Sequence, residues 1–199
     1  MSQSALFSFS GHRRSGKSTI YERLEALCKR EHAGLPIVFL GNLLGDLVIV
    51  EGEHPTTTLL RGWTTLNEAC VTRVKPALDA GKIVVVDTFG LDVYLGAVAH
   101  CDCAEACSQT FQLHHHHLVP ARIVTCGIKP PVYFIRRPSD VRSGTITPLY
   151  TREDKVITQY FDGTGQNKPI YLDMESDGQC VQTAMSHLVH AAEQLKQAA

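Results

Sequence analysis

A glycine-rich segment near the start of the chain constrains the fold most. Gly11–Ser18 follows the pattern G-x-x-x-x-G-K-S, with two glycines ahead of adjacent lysine and serine residues. An apolar run, Ala5–Phe9, precedes it. Apolar residues at helical spacing follow it, at Ile20, Leu24, Leu27 and Cys28. The segment therefore predicts a loop between a buried strand and an amphipathic helix, which is the context that a phosphate-binding P-loop requires.

The chemistry of such a loop comes from its backbone and from a few side chains. Its N–H groups, with the positive end of the following helix, surround an anionic phosphate. We expect Lys17 to reach the outer phosphates and the Ser18 hydroxyl to bind Mg²⁺, with ATP as the nucleotide. The expected nucleotide-binding residues are Gly11, His12, Arg13, Arg14, Ser15, Gly16, Lys17, Ser18 and Thr19.

Two arginines occupy the interior of this loop. A cation there could stabilise the charge that develops on a transferred phosphoryl group, in the manner of an arginine finger supplied by the same chain. Exposure to solvent is the alternative for both residues, since surface charges are the rule. We include Arg14, and not Arg13, among the expected catalytic residues.

The remaining pattern predicts an α/β fold. Five short runs rich in β-branched or aromatic residues read as buried strands: Ala5–Phe9, Pro36–Leu40, Ile83–Val86, Val132–Ile135 and Ile170–Leu172. Segments with helical spacing lie between several of them, and alternating strands and helices form parallel sheets. We expect a single α/β domain over residues 1–199, with a five-stranded, mainly parallel sheet flanked by helices.

A carboxylate follows the third predicted strand. Asp87 comes directly after the buried run Ile83–Val86, and open α/β sheets bind ligands at the carboxyl ends of their strands. We expect Asp87 to act in catalysis by orienting the acceptor or the magnesium shell, the latter through water. Capping of the segment that begins at Thr88 is the alternative.

Charge and cysteine content exclude several classes of protein. The 19 Lys+Arg residues balance 20 Asp+Glu residues, so no global positive field would gather nucleic acid, and stable nucleic-acid binding is not expected. No apolar run reaches the ~18–20 residues that cross a membrane, and the seven cysteines are an odd number. These features predict a cytoplasmic protein with free thiols and no membrane association.

Several motifs resemble the thymidylate kinases, a family of P-loop nucleoside monophosphate kinases. The loop Arg13–Thr19 is similar to the family's P-loop, and Arg14 falls where one subtype carries a catalytic arginine. Val74–Asp87 resembles the family's helix, Pro-Ala-Leu, glycine, buried strand and aspartate. Tyr94-Leu-Gly96 is similar to a Tyr-x-Gly further along. The resemblance implies that residues 1–199 form a P-loop kinase domain with a short lid at about 136–152, in which Arg136 and Arg142 contact the phosphates. It also implies ATP-dependent phosphoryl transfer to a nucleotide or nucleoside-like acceptor, and a possible homodimer.

The acceptor side departs from the family pattern. Leu40–Leu44 carries no arginine where the family has an Arg-Glu-Pro-Gly segment, Asp87 is followed by threonine, and Arg13 replaces a carboxylate. A monophosphate acceptor is a dianion that needs charge-assisted hydrogen bonds. Either an arginine from a shifted position supplies them, or the acceptor is a deoxynucleoside or a modified base. The candidates for a shifted arginine are Arg61, Arg73 and Arg136–Arg137.

Two further hypotheses stay open. The chain could be a nucleotide-binding protein of this fold without kinase activity, or a kinase for a metabolite outside the nucleotides. A Cys/His-rich segment, residues 100–117, lacks the paired C-x-x-C spacing of structural zinc sites and favours a helix with buried cysteines over a metal site.

Overall fold

The computed structural model describes residues 6–11, 14–43, 55–88, 132–136, 151, 155, 170–173 and 177–198. Its strands are β1 (Leu6–Gly11), β2 (Ile37–Asn42), β3 (Ile83–Thr88), β4 (Val132–Arg136) and β5 (Ile170–Asp173). Its helices are α1 (Lys17–Glu31), α2 (Pro55–Ala69), a π-helical turn (Cys70–Val74), α3 (Lys75–Asp79) and α4 (Asp177–Ala198). All five predicted strands are present, each within two residues of the predicted bounds.

The sheet has the strand order β2-β3-β1-β4-β5, and every neighbouring pair is parallel. Parallel neighbouring strands need crossover connections, which are usually helices that cover the faces of the sheet. Helices lie on both faces of this sheet. The predicted α/β fold with a parallel sheet is therefore confirmed. This order places β1 in the centre, so that the loop after β1 lies between the carboxyl ends of β3 and β4.

Alternation along the strands separates two apolar clusters. The first joins α1 and α4 to one face of the sheet through residues such as Phe9, Val85 and Leu24. The second joins α2 and the π-helical turn to the opposite face through residues such as Val84, Val86 and Leu66. Successive strand residues point to opposite faces of the sheet. Odd-numbered residues of β3 therefore face α1 and α4, whereas even-numbered ones face α2 and the π-helical turn.

Helix α1 illustrates why these segments adopt their structure. Its buried side chains recur at the spacing of one helical face: Ile20, Tyr21, Leu24, Leu27 and Cys28. Lys29 and Arg30 lie in its last turn, where positive charge complements the helix dipole. The helix therefore packs one apolar stripe on the sheet and points its amino end at the carboxyl edge. None of the helices that the structure describes is long and apolar enough to cross a membrane.

Candidate nucleotide-binding site

Left-handed backbone shapes the loop between β1 and α1. Gly16 has φ of 93°, a conformation that glycine adopts without steric cost, and it immediately precedes the first helical residue. Arg14 has φ of 60°, and it is the one non-glycine residue with positive φ in the described part of the chain. A side chain in this region is strained, and such strain concentrates at functional sites. The loop thus holds a costly conformation at the point where the sequence predicts phosphate binding.

The amino end of α1 offers backbone donors. Gly16 occupies the capping position, and no side chain caps the first turn. The first N–H groups of a helix have no partner within the helix and are satisfied by other groups or by ligands. Lys17 is half-buried, whereas Ser18 and Thr19 are exposed. This arrangement suits an anion at the helix end, as the motif predicts.

Ser18 and Asp87 meet at the carboxyl edge. The Ser18 hydroxyl donates a hydrogen bond to Asp87 Oδ2 at 3.2 Å, although the two residues are 69 positions apart in the sequence. Alternation in β3 explains the contact, because Asp87 shares the parity of Ile83 and Val85 and so faces α1. The P-loop serine and the strand-end carboxylate therefore form one cluster, and their assignment to magnesium stays a prediction.

The donor atoms of this pair fit Mg²⁺. Magnesium prefers hard oxygen ligands and usually keeps several of its waters. Ser18 Oγ could bind the ion directly, while Asp87 Oδ2, which accepts the Ser18 hydrogen bond at 3.2 Å, could hold a metal-bound water. Both groups lie at the edge of the sheet next to the P-loop. The pair could accordingly bind the metal that accompanies a nucleoside triphosphate.

Other expected residues lie near this edge, or outside the described residues. Gly11 is the last residue of β1, and its neighbour across the β4 pairing is Ile135, so Arg136 ends β4 close to the loop. Ser15 is fully buried, and its hydroxyl has no hydrogen-bond partner among the described residues. His12, Arg13 and Arg142 lie outside the described residues, as does nearly all of the predicted lid at 136–152.

Two side chains from helical segments on opposite faces of the sheet contact the end of β2. The Tyr21 hydroxyl, which the sequence analysis did not assign to the site, accepts a hydrogen bond from the Gly41 amide at 2.6 Å. Arg73, a candidate for an acceptor phosphate contact, donates to the Leu40 carbonyl. Its role toward an acceptor stays a prediction. A tyrosine on the buried face of α1 was a usable signal, because a buried hydroxyl needs a hydrogen-bond partner.

Other sequence hypotheses find no test in the described residues. The segment 100–117 with its cysteines and histidines lies outside them. Within the described ranges there is no group of three or more His, Cys, Asp or Glu residues that could hold a metal ion. Cys28, Cys70 and Cys180 are buried there and take part in no disulfide.

Comparison with known proteins supports the fold. No protein family matches the sequence, and no curated protein is significantly similar to it. Among solved structures, the thymidylate kinase from Ehrlichia chaffeensis is similar, with a TM-score of 0.62 and 18% sequence identity. The match covers 92% of this chain and 97% of the other. At that identity the likeness concerns the fold alone, so the chain has the α/β fold of a thymidylate kinase.

Proposed function

We propose that the protein transfers the γ-phosphoryl group of ATP to a nucleotide or nucleoside-like acceptor. The observation that carries this proposal is the contact between Ser18 and Asp87, which joins a P-loop residue to the strand-end carboxylate in an arrangement that suits Mg²⁺ held by the serine directly and by the carboxylate through water. The thymidylate kinase fold supports the same reaction class. The acceptor class is left open because the arginines that the resemblance implies are replaced.

Each residue of the cluster has a role in this proposal. The loop from Gly11 to Thr19 binds the donor phosphates, and Lys17 reaches their outer oxygens. Arg14 and Lys17 stabilise negative charge on the transferring group, which is the main contribution that proteins make to phosphoryl transfer. Ser18 and Asp87 hold the metal, Asp87 through water, and the metal when bound neutralises phosphate charge. Arg136 and Arg142 add contacts from the β4 end and the lid.

The proposed organisation of the chain is one kinase domain over residues 1–199, in the cytoplasm, with a lid at about 136–152. The domain could assemble as a homodimer. Its partners are a nucleotide donor and a small-molecule acceptor, without stable nucleic-acid or membrane binding. The balanced charge of the sequence supports the last point.

A screen of acceptors tests the reaction. ADP release from ATP and Mg²⁺ is measured with each common nucleoside and nucleoside monophosphate, in the wild type and in Asp87→Asn. Turnover with at least one acceptor is expected, and Asp87→Asn should raise the Mg²⁺ concentration for half-maximal rate by about 10–100-fold. Thr72→Ala serves as the control, because its exposed hydroxyl donates to the Glu68 carbonyl one turn earlier and makes no other polar contact among the residues that the structure describes.

Two results would change the proposal. Tight ATP binding by calorimetry without turnover on any acceptor would favour a nucleotide-binding protein that lacks kinase activity. Turnover on a metabolite outside the nucleotides would keep the phosphoryl transfer and reject the acceptor class. Turnover confined to nucleosides would show that the acceptor is neutral. A neutral acceptor would explain the replaced arginines, because a site without cations binds a dianion poorly.

A further inference from the structure

The pairing of the edge strand β2 is irregular next to the site. Phe39 pairs with Val85 and Gly41 pairs with Val86, so β2 advances by two residues while β3 advances by one. Asn42 then pairs with Thr88, so β3 advances by two residues and the original register returns. Leu40–Gly41 is therefore a local bulge of β2 that the step past Asp87 on β3 compensates, and Gly41 adopts φ of 71°. Bulges are enriched beside active sites.

Two helices hold the bulge from opposite faces of the sheet. Tyr21 belongs to the cluster of α1, and its hydroxyl accepts from the Gly41 amide at 2.6 Å and donates to the Val85 carbonyl at 3.5 Å. Arg73 donates to the Leu40 carbonyl, and its neighbours Cys70 and Val74 belong to the cluster on the other face. Each of the two bulge residues thus has a backbone group bound by a side chain from a helix.

The local structure of both helices serves these contacts. Arg73 lies within the π-helical turn Cys70–Val74, and π-helical turns are rare and frequent at functional sites. Cys70 and Val74 are fully buried, whereas Arg73 is exposed and reaches the edge strand. Tyr21 is nearly buried and packs edge-to-face on Phe9 and Phe39, which fixes its ring. Both side chains therefore approach the bulge from ordered supports.

The Tyr21 hydroxyl stays protonated under ordinary conditions. Burial raises the pKa of Tyr21 to about 12, against smaller lowering effects of the Gly41 hydrogen bond and the Arg73 charge. A protonated phenol both donates and accepts, so it can serve Gly41 and Val85 together. Phenylalanine would keep the packing and lose only these two hydrogen bonds.

We propose that Tyr21 and Arg73 are positioning residues that fix the Leu40–Gly41 bulge. They would thereby set the position of the end of β2, where the resemblance places the acceptor segment. Tyr21 lies one turn beyond Lys17 and Ser18, and its partner Val85 lies two residues before Asp87. A single hydroxyl thus connects the donor helix, the strand that carries the carboxylate, and the exit of β2. The inference rests on the proposed phosphoryl transfer, in which acceptor and donor must be aligned.

Tyr21→Phe tests this role with little change in packing. With an acceptor found by the screen, we expect kcat/KM for the acceptor to fall about 10-fold while KM for Mg·ATP stays within about two-fold, since misplacement away from the chemistry is costly. Arg73→Ala should act in the same direction, and Arg73→Lys should recover part of the loss by donating to the same carbonyl. Thr72→Ala, in the same π-helical turn, should match the wild type.

A second readout does not need an acceptor. Amide hydrogen exchange at Gly41 should become at least about 10-fold faster in Tyr21→Phe, because the amide loses its acceptor. Wild-type turnover with an unchanged acceptor kcat/KM in both Tyr21→Phe and Arg73→Ala would overturn the positioning role alone. Equal losses for donor and acceptor would indicate a general structural role and overturn it too. Absence of wild-type turnover would overturn the proposed function, and unchanged Gly41 exchange would then reject the bulge contact as well.

Discussion

Arg14 combines a strained backbone with a charged side chain, and substitution can separate the two. Its φ of 60° is a left-handed backbone conformation. In this conformation Cβ crowds the following carbonyl oxygen, at a cost of about 1–2 kcal/mol for a non-glycine residue. Arg14→Ala keeps that strain and removes the guanidinium. Arg14→Gly removes both, but the greater freedom of glycine in the unfolded chain lowers the free energy of unfolding by about 0.4–1 kcal/mol. We therefore expect Arg14→Gly to be about 0.5–1 kcal/mol more stable than Arg14→Ala.

The expected difference is measurable by heat. For a chain of 199 residues, 1 kcal/mol shifts the melting temperature by about 2–4 °C, so Arg14→Gly should melt about 1–4 °C above Arg14→Ala. Turnover should behave differently, because both variants lack the cation and each should lose roughly 10²–10³-fold in kcat. Differential scanning calorimetry gives the first quantity, and single-turnover kinetics with the screened acceptor gives the second.

Either half of this reasoning can be refuted. A lower melting temperature for glycine than for alanine would show that the left-handed conformation is not a cost at Arg14. Wild-type turnover in both variants would remove Arg14 from the charge-stabilising residues. Arg14→Lys is the matched control, since it keeps a positive charge without the planar fork and should retain more turnover than alanine.

Three other predictions follow from described contacts. Ser15→Ala should leave ATP affinity unchanged and stability equal or up to about 1 kcal/mol higher, because its buried hydroxyl has no partner in the described structure; calorimetry checks both. Burial raises the pKa of Cys70 to about 12 and also raises that of Tyr21. Both groups therefore lose their protons at a lower pH in the unfolded chain than in the folded protein. Stability should therefore be full below about pH 9 and fall as pH rises toward 12, less steeply in Cys70→Ala; melting temperatures across that range check the sign. The ion pair between Arg23 and Asp177, at 2.8 Å with side chains 55% and 26% exposed, should show a coupling below about 1 kcal/mol in a double-mutant cycle and weaken in salt, and a larger coupling would contradict its exposure.

Periodicity was sufficient to predict the strands and the helix α1. Short β-branched runs identified the strands because buried parallel strands are apolar throughout, and the P-loop identified the junction of β1 and α1. The position of Asp87 near the carboxyl end of a buried strand was predictable. Its contact with Ser18 was not, since that depends on which strands become neighbours and on which face of β3 Asp87 lies.

The features that the sequence did not reveal arise from tertiary contacts. The π-helical turn at Cys70–Val74 has the same apolar spacing as an ordinary helix over a few residues, so periodicity does not distinguish them. The bulge at Leu40–Gly41 exists only relative to β3. For the same reason Arg73 looked available for a phosphate, although its guanidinium binds a backbone carbonyl.

The central position of β1 has a consequence for biosynthesis. β1 and β2 are made before β3, yet they are not neighbours, because β3 lies between them. A nascent chain that ends before residue 88 therefore has no complete pairing between β1 and β3, and the apolar faces of β1 lack that neighbour until β3 has been made. Because Asp87 arrives with that same strand, the proposed nucleotide site and the protection of β1 would form together during synthesis, and bound nucleotide would then stabilise the fold.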